Sequence, residues 1–152
     1  MRDICGREEG APPPVALACE RRNGDFVRNL IRTGQADTVH DCSDGGLAVA
    51  VAEMAMAGGL GAVIGHAPED LPLHAFLFVE DQGRYLLAVD PDCAADILYA
   101  AQAVGVAAVP IGFTGGTELI LPGGEAISVE RLKAAHESWL PTYMSGELPP
   151  SS

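Results

Sequence analysis

The chain has 152 residues, of which 48% are hydrophobic and 20% charged, and this composition predicts one globular domain rather than a disordered segment. Nine basic residues stand against 21 acidic ones, so the formal net charge is -12. Such a charge repels phosphate backbones and anionic lipid, which argues against nucleic acid and membrane surfaces as partners.

Targeting signals and cysteine spacing point to a cytoplasmic protein. The chain has no run of 18 apolar residues, and its N-terminus, MRDICGREEGAPPP, lacks the apolar stretch of a secretory signal. Its four cysteines, Cys5, Cys19, Cys42 and Cys93, lie far apart and match neither a CxxC pair nor a zinc spacing. We therefore expect reduced, buried thiols.

The first elements follow from turn signals and apolar spacing. Residues 1–14 end in Gly-Ala-Pro-Pro-Pro and are predicted to form a linker or N-terminal extension. The domain is predicted to span residues 15–144, and residues 145–152 to form a disordered tail. Apolar residues at helical spacing predict a helix over residues 15–35, either continuous or in two pieces around Asn23-Gly24.

The middle of the chain alternates between strand and helix patterns. Residues 37–42 predict a strand, residues 45–59 an alanine-rich helix that ends at two glycines, and residues 61–66 a second strand. Residues 71–79 are consistent with either a strand or a short helix. A further strand is predicted from Arg84 to Val89.

A helix is predicted to begin at Pro91, with Asp90 as its N-cap and Gly105 as its stop signal. Residues 106–116 and 117–124 then predict two strands.

These two strands are predicted to form a hairpin around Gly115-Gly116, and Ser128 to cap a last helix over residues 129–144. Helices alternate with strands, several of which are joined by short turns. The fold class is therefore α/β (α+β), a mixed sheet with helices packed on it.

The segment HDCSDGG at residues 40–46 joins the first strand to the alanine-rich helix. The first N–H groups of a helix have no partner within the helix, and its dipole is positive at that end. Ser43 or Asp44 can cap these groups, or a phosphate can bind to them where Gly45 and Gly46 let the backbone approach closely. The two interpretations compete, because the Asp44 carboxylate would repel a phosphate.

His40 and Asp41 begin the same segment. Asp41 can orient the imidazole or hold Mg²⁺ through water, or it can be a solvated turn residue, and His40 alone is more often structural than catalytic.

A second polar cluster, Glu80, Asp81, Gln82 and Arg84, lies at the start of a strand. Arg84 can bind a carboxylate or a phosphate. Alternatively, the charges discourage edge-to-edge pairing of an exposed strand.

Three blocks resemble a known family: ERRNGDFVRNLI at residues 20–31, HDCSDGGLAVAVAEMAMAGG at 40–59 and LFVEDQGRYLLAV at 77–89. Their order and spacing are similar to the C-terminal end of phosphoribosylformylglycinamidine synthase, in the synthetase subunit of the small bacterial type. GREEGAPPPV and SWLPTYM fit as well, so the resemblance covers nearly all of residues 3–144.

The resemblance implies a reaction and a division of labour. In this family, formylglycinamide ribonucleotide, ATP and glutamine-derived ammonia give formylglycinamidine ribonucleotide, ADP and phosphate. The chain resembles only the last of two C-terminal-type domains, whose fold is shared with aminoimidazole ribonucleotide synthetase. We therefore expect ATP and Mg²⁺ for the complete enzyme, neither for this chain alone, and no catalytic or metal-binding residue here.

The implied partners are the remaining synthetase domains, a glutaminase subunit and a small accessory subunit, with self-association into a homo-oligomer.

The resemblance also implies where substrate contacts would lie. In the family's active half an acid-x-Gln segment contacts the substrate, and Glu80, Asp81 and Gln82 match it here, although Asp81 stands where serine is usual. The Ser-Asp-Gly-Gly segment would face the cleft between domain types. The candidate substrate- or phosphate-binding residues are His40, Asp41, Ser43, Asp44, Gly45, Gly46, Glu80, Asp81, Gln82 and Arg84.

Two alternatives stay open. The chain can be a non-catalytic dimerisation or assembly module. It can also be the C-terminal domain of a related synthetase of the aminoimidazole ribonucleotide, selenophosphate or thiamine-phosphate type, although the HD-x-SDGG wording argues against this.

Overall fold

The structure is a computed structural model that describes residues 16–65, 68 and 71–146. The predicted linker at residues 1–14 lies outside the described residues, as does the predicted tail except for Ser145 and Gly146, which form a turn. The described residues form five helices: α1 (Leu17–Arg32), α2 (Gly46–Gly58), α3 (Leu73–Phe78), α4 (Pro91–Ala103) and α5 (Val129–Met144). They also form six strands: β1 (Thr38–Asp41), β2 (Ala62–Ile64), β3 (Tyr85–Ala88), β4 (Gly112–Thr114), β5 (Glu118–Ile120) and β6 (Ile127–Ser128).

The strands of the described residues divide into two sheets. β1 and β3 form an antiparallel pair, and the other strands form a four-stranded sheet in the order β4-β2-β5-β6. In that sheet β2 is antiparallel to β4 and parallel to β5. The predicted mixed α+β architecture is confirmed, with two sheets in place of a single one.

Helix α1 is continuous, so the alternative with a break at Asn23-Gly24 is wrong. The Asn23 side chain donates a hydrogen bond to the carbonyl oxygen of Gly83 at 3.1 Å, which ties the helix to the loop before β3. Further along, Leu30 packs with Ile97 of α4 and Val39 of β1. Helices α1 and α4 therefore cover the two-stranded sheet, because their apolar stripes face it.

Helix α2 joins the two parts of the fold. It contacts α3 and α5 and also both strands of the two-stranded sheet. Its buried Leu47 and Val51 belong to a core cluster with Ile64 of β2, Phe76 of α3 and Leu119 of β5. The helix itself consists mostly of small, apolar residues, so neighbouring elements can pack closely against several of its sides.

The predicted hairpin around Gly115-Gly116 is wrong, because β2 lies between β4 and β5. Val63 is paired with Phe113 on one side and with Ile120 on the other. The glycine turn is hydrogen-bonded to Gly61 instead. The Gly61 N–H donates to the Gly116 carbonyl oxygen at 2.9 Å, and the Gly61 carbonyl oxygen accepts from the Gly115 N–H at 2.8 Å. The turn therefore carries the chain across an intervening strand.

The two open alternatives for residues 71–79 are decided in favour of a short helix, α3, which buries Phe76 and Leu77. The expectation of buried thiols is confirmed for Cys42, but Cys19 is half-buried and Cys93 is exposed in the first turn of α4. Cys5 lies outside the described residues.

Candidate functional site

The candidate residues lie where β1 ends and α2 begins, beside the loop that leads into β3. In the antiparallel pairing of β1 with β3, His40 lies opposite Leu86 and Asp41 opposite Tyr85. The Cys42 N–H also donates to the Arg84 carbonyl oxygen at 2.9 Å. The pairing therefore brings together the two polar segments found in the sequence.

The start of α2 is capped differently from either prediction for Ser43 and Asp44. The N-cap residue is Gly45, with a φ of 79°, and the Ser43 side chain bonds to Asp41 rather than to an amide of the helix. The Gly45 N–H donates to Oε1 of Glu80 at 2.8 Å. The capping role predicted for Ser43 or Asp44 is therefore wrong, because the left-handed turn at Gly45 presents this amide to a carboxylate that is distant in sequence.

Gly46 is required by a close approach between two backbones. Its φ is 65°, and a Cβ atom at this position would lie 2.9 Å from both the Phe78 carbonyl carbon and the Val79 carbonyl oxygen. Real Cβ atoms do not come so near. The second glycine therefore lets α2 begin directly against the end of α3.

His40 bridges β1 and α2 through both ring nitrogens. Its Nδ1 lies 2.6 Å from the Asp41 carbonyl oxygen, and its Nε2 lies 3.2 Å from Oε2 of Glu53. A neutral imidazole has one N–H and can donate to only one of these oxygens, whereas an imidazolium can donate to both. Because both ring nitrogens of His40 have a contact within the chain, a structural role for this residue is supported.

Sequence reasoning missed Glu53 as a site residue. A signal was present, because Glu53 is the one charged residue in the run from residue 45 to 59. On a helix, residues three apart share a face, and this places Glu53 next to Ala50, which also lines the site.

Asp41 is held as a carboxylate by its neighbours. The Ser43 hydroxyl donates to Oδ2 of Asp41. This bond is the main reason that the Asp41 pKa is below its ordinary value, with help from its own backbone N–H and from His40 and against a small desolvation effect. Next to it, burial raises the pKa of the Cys42 thiol, an effect that Arg84 opposes.

Four of the ten candidate residues line one cavity of about 180 Å³, namely His40, Asp41, Ser43 and Asp44, together with Ala50 and Glu53. Three carboxylates face one imidazole there, so the cavity attracts hydrogen-bond donors and repels phosphate. Within the described ranges, no group of three or more His, Cys, Asp or Glu side chains is arranged to hold a metal ion.

The other candidates take separate places. Glu80 bonds Gly45, and Nη1 of Arg84 donates to the Val79 carbonyl oxygen at 3.0 Å. Asp81 and Gln82 are exposed in the loop and do not line the cavity. The guanidinium of Arg84 is half-buried and holds the end of α3, which is a structural role in the chain as it stands.

None of the described helices is both long and apolar enough to cross a membrane.

Comparison with known proteins gives a family and a set of relatives. The family model described as "AIR synthase related protein, C-terminal domain" matches residues 3–120. The chain is 57% identical over 148 residues to the phosphoribosylformylglycinamidine synthase subunit PurL of Methylocella silvestris, and 54% identical over 147 residues to that of Rhodopseudomonas palustris strain HaA2. Each match covers 97% of this chain and 20% of the relative, so the chain spans about a fifth of the length of these curated relatives.

Solved structures show the same fold. The Thermotoga maritima PurL complexed with FGAR matches with a TM-score of 0.70 and 17% identity over 86% of this chain and 24% of that one. The PurLQS structure from the same organism matches with a TM-score of 0.67 and 18% identity, covering 79% of this chain and 22% of that one.

Proposed function

Since the chain belongs to the family of AIR synthase related C-terminal domains, we propose that it is the C-terminal domain of a PurL-type phosphoribosylformylglycinamidine synthase. The observation that carries this proposal is the identity to PurL subunits along almost the whole chain. The complete protein would convert formylglycinamide ribonucleotide, ATP and glutamine-derived ammonia to formylglycinamidine ribonucleotide, ADP and phosphate. The same relatives favour this synthetase over the related selenophosphate and thiamine-phosphate types.

The domain would line one side of a cleft between domains, and the catalytic residues would lie in other domains of the complete enzyme. The cavity of His40, Asp41, Ser43 and Asp44 opens beside the start of α2 and contains mainly acceptor oxygens. Such a lining suits hydroxyl or amide N–H groups of a ribonucleotide substrate better than its phosphate. A phosphate at Gly45 would first have to displace the Glu80 carboxylate.

ATP and Mg²⁺ would bind to other domains of the complete enzyme. Solved PurL structures from Thermotoga maritima contain ATP, ADP or an analogue, whereas the described residues of this chain lack a metal-binding group of three. The partners would be the remaining synthetase domains, a glutaminase subunit and a small accessory subunit, in the cytoplasm. The isolated chain would be inactive.

A chimera tests this proposal directly. The matching fifth of the Methylocella silvestris subunit is replaced by this chain, and ADP formation that depends on formylglycinamide ribonucleotide is measured with ammonium as the nitrogen source. We expect activity from the chimera, and none from the subunit without the segment or from the isolated chain. A chimera that folds and remains inactive would refute the proposal, as would substrate-dependent ADP formation by the isolated chain.

A further inference from the structure

The loop at residues 79–84, which joins α3 to β3, is tied to the segment between β1 and α2 at two points. Near the start of the loop, Glu80 accepts the hydrogen bond from the Gly45 N–H at 2.8 Å. At its end, the Arg84 carbonyl oxygen accepts from the Cys42 N–H at 2.9 Å. A displacement of the loop would therefore also disturb the segment that begins α2.

Helix α1 supplies a third tie, in the second half of the loop. Nδ2 of Asn23 donates to the Gly83 carbonyl oxygen at 3.1 Å, across 60 residues of sequence. This bond is half-buried, whereas the bond from Gly45 to Glu80 is exposed. A hydrogen bond that is shielded from water is electrostatically stronger than an exposed one, so α1 holds the loop more firmly than α2 does.

The loop backbone lies directly against α1 at this point. Gly83 has a φ of 67°, and a Cβ atom there would lie 2.9 Å from Cγ and 3.0 Å from Cα of Glu20. The Cγ atom belongs to a flexible side chain, but the Cα atom cannot give way unless the helix moves. Glycine therefore allows the contact, and the short side chain of Asn23 can span the remaining distance.

The other end of the Asn23 amide indicates what this side chain contributes. Its Oδ1 atom is buried and has no hydrogen-bond partner among the residues that the structure describes. Turning the amide over would place Oδ1 against the Gly83 carbonyl oxygen, which is also an acceptor, so the bond to Gly83 fixes its orientation. An unsatisfied buried acceptor costs free energy that a leucine of similar size would not. The contribution of Asn23 therefore lies in its bond to Gly83 and not in packing.

We propose that Asn23 is a positioning residue, which holds Gly83 on α1 and thereby keeps Glu80 on the Gly45 amide. Glu80 and Gly83 are only three positions apart in one loop, so a shift at Gly83 is passed on to Glu80. Loss of the Asn23 bond should therefore weaken a hydrogen bond that Asn23 itself does not touch.

This series of contacts ends at the cavity. Gly45 directly follows Asp44, which lines the cavity, whereas α1 contributes no lining residue. Helix α1 thus sets the position of one side of the cavity from a distance. The effect on substrate binding rests on the proposed function, but the link from Asn23 to Gly45 does not.

The backbone amide resonance of Gly45 tests the link in the isolated chain. In Asn23→Leu we expect it to move at least halfway from its natural position to its position in Glu80→Ala. Asn23→Asp, which keeps the shape and lacks the N–H donors, should move it in the same direction. Asn29→Leu is the matched control, because Asn29 is exposed on the same helix, and it should leave the resonance in place.

Two NMR results would overturn the proposal. One is a Gly45 resonance at its natural position in folded Asn23→Leu and Asn23→Asp, and the other is an equal displacement in Asn29→Leu. Circular dichroism shows that the compared variants are folded.

Kinetics of the chimera with the Methylocella silvestris subunit test the effect on substrate. Asn23→Leu should raise KM for formylglycinamide ribonucleotide about fivefold, as expected for the loss of one hydrogen bond, with kcat and KM for ATP changed by less than about twofold. A merely structural role would instead lower kcat through loss of folded enzyme. An unchanged KM for formylglycinamide ribonucleotide would contradict the positioning role. Inactivity of the unaltered chimera would refute the proposed function, and the Gly45 resonance would then still decide the role of Asn23.

Discussion

Oε1 of Glu80 accepts a hydrogen bond from the backbone N–H of Gly45 at 2.8 Å, across 35 residues of sequence. This bond places a carboxylate at the positive end of α2, where a bound anion would otherwise be stabilised. It also ties the loop before β3 to the helix that joins the two sheets. The protein's own carboxylate thus replaces both the local side-chain cap and the phosphate that the sequence suggested.

Glu80→Ala should therefore lower the free energy of unfolding by about 1 kcal/mol, as expected for the loss of a helix-capping hydrogen bond at an exposed site. Glu80→Gln should lose less, because its amide oxygen can still accept from Gly45. Urea unfolding gives the comparison, with Asp81→Ala as the matched control, since Asp81 is exposed in the same loop. Equal losses in Glu80→Ala and Asp81→Ala would contradict the capping role.

Gly46→Ala should be more destabilising than Gly59→Ala, although both glycines flank α2 with a positive φ. The backbone conformation costs an alanine about 1–2 kcal/mol at either position. At Gly59 a new Cβ meets nothing within 4 Å, whereas at Gly46 it meets the backbone of Phe78 and Val79. This overpacking should add about 1–3 kcal/mol, measured by urea unfolding. Similar losses at the two sites would show that α2 and α3 can move apart freely.

The sequence was sufficient wherever a helix is defined by local chemistry. Asp90 accepts a hydrogen bond from the Asp92 N–H at 2.9 Å, and Ser128 accepts one from the Arg131 N–H at 3.3 Å, as their types and positions predict. These caps join residues two or three apart, so local patterns contain the information needed. The starts of α4 and α5 were accordingly predicted correctly, whereas α1 and α2 were predicted from apolar spacing and composition rather than from their caps.

Features that depend on distant residues were not predictable in this way. The glycine turn at residues 115–116 has the composition of a hairpin, but β2 comes from 50 residues earlier in the chain and separates the strands. Likewise, Glu53 meets His40, and Glu80 meets Gly45, only once β1, α2 and the loop before β3 are assembled. No spacing rule connects such pairs, so the cavity contains only part of the residues that were grouped in advance.

Asp44→Ala distinguishes the observed start of α2 from a conventional cap. Since the N-cap of α2 is Gly45 rather than Asp44, this change should alter the free energy of unfolding by less than about 0.5 kcal/mol. Asp90→Ala is the matched control and should cost about 1 kcal/mol, because Asp90 does cap α4. A loss at Asp44 as large as that at Asp90 would restore the original capping interpretation.

The cavity should show a pH dependence that depends on Ser43. The pKa of Asp41 is lowered from 3.8 in the folded chain, so its stabilising effect is present above that pH and is lost as the pH falls through the lower folded value. In Ser43→Ala the Asp41 pKa should rise, and the stability difference from the natural chain should shrink below about pH 4. Carboxyl NMR titration of Asp41 measures this shift, with Asp44→Asn as control. An unchanged Asp41 titration in Ser43→Ala would show that the hydroxyl does not bond the carboxylate.

Thiol labelling should separate Cys93 from Cys42, which are exposed and buried respectively. Burial limits access to Cys42 and raises its pKa, so less of the reactive thiolate is present at neutral pH. In a Cys5→Ser background, a maleimide should modify Cys93 faster than Cys42, as measured by mass spectrometry of peptides, because Cys42 is both less accessible and less ionised. Denaturant should abolish the difference, and Cys93→Ser should remove the fast phase. If Cys42 were labelled as fast as Cys93 without denaturant, the loop from residue 80 to 84 would have to open readily from β1, and the Glu80–Gly45 bond would not hold the site closed.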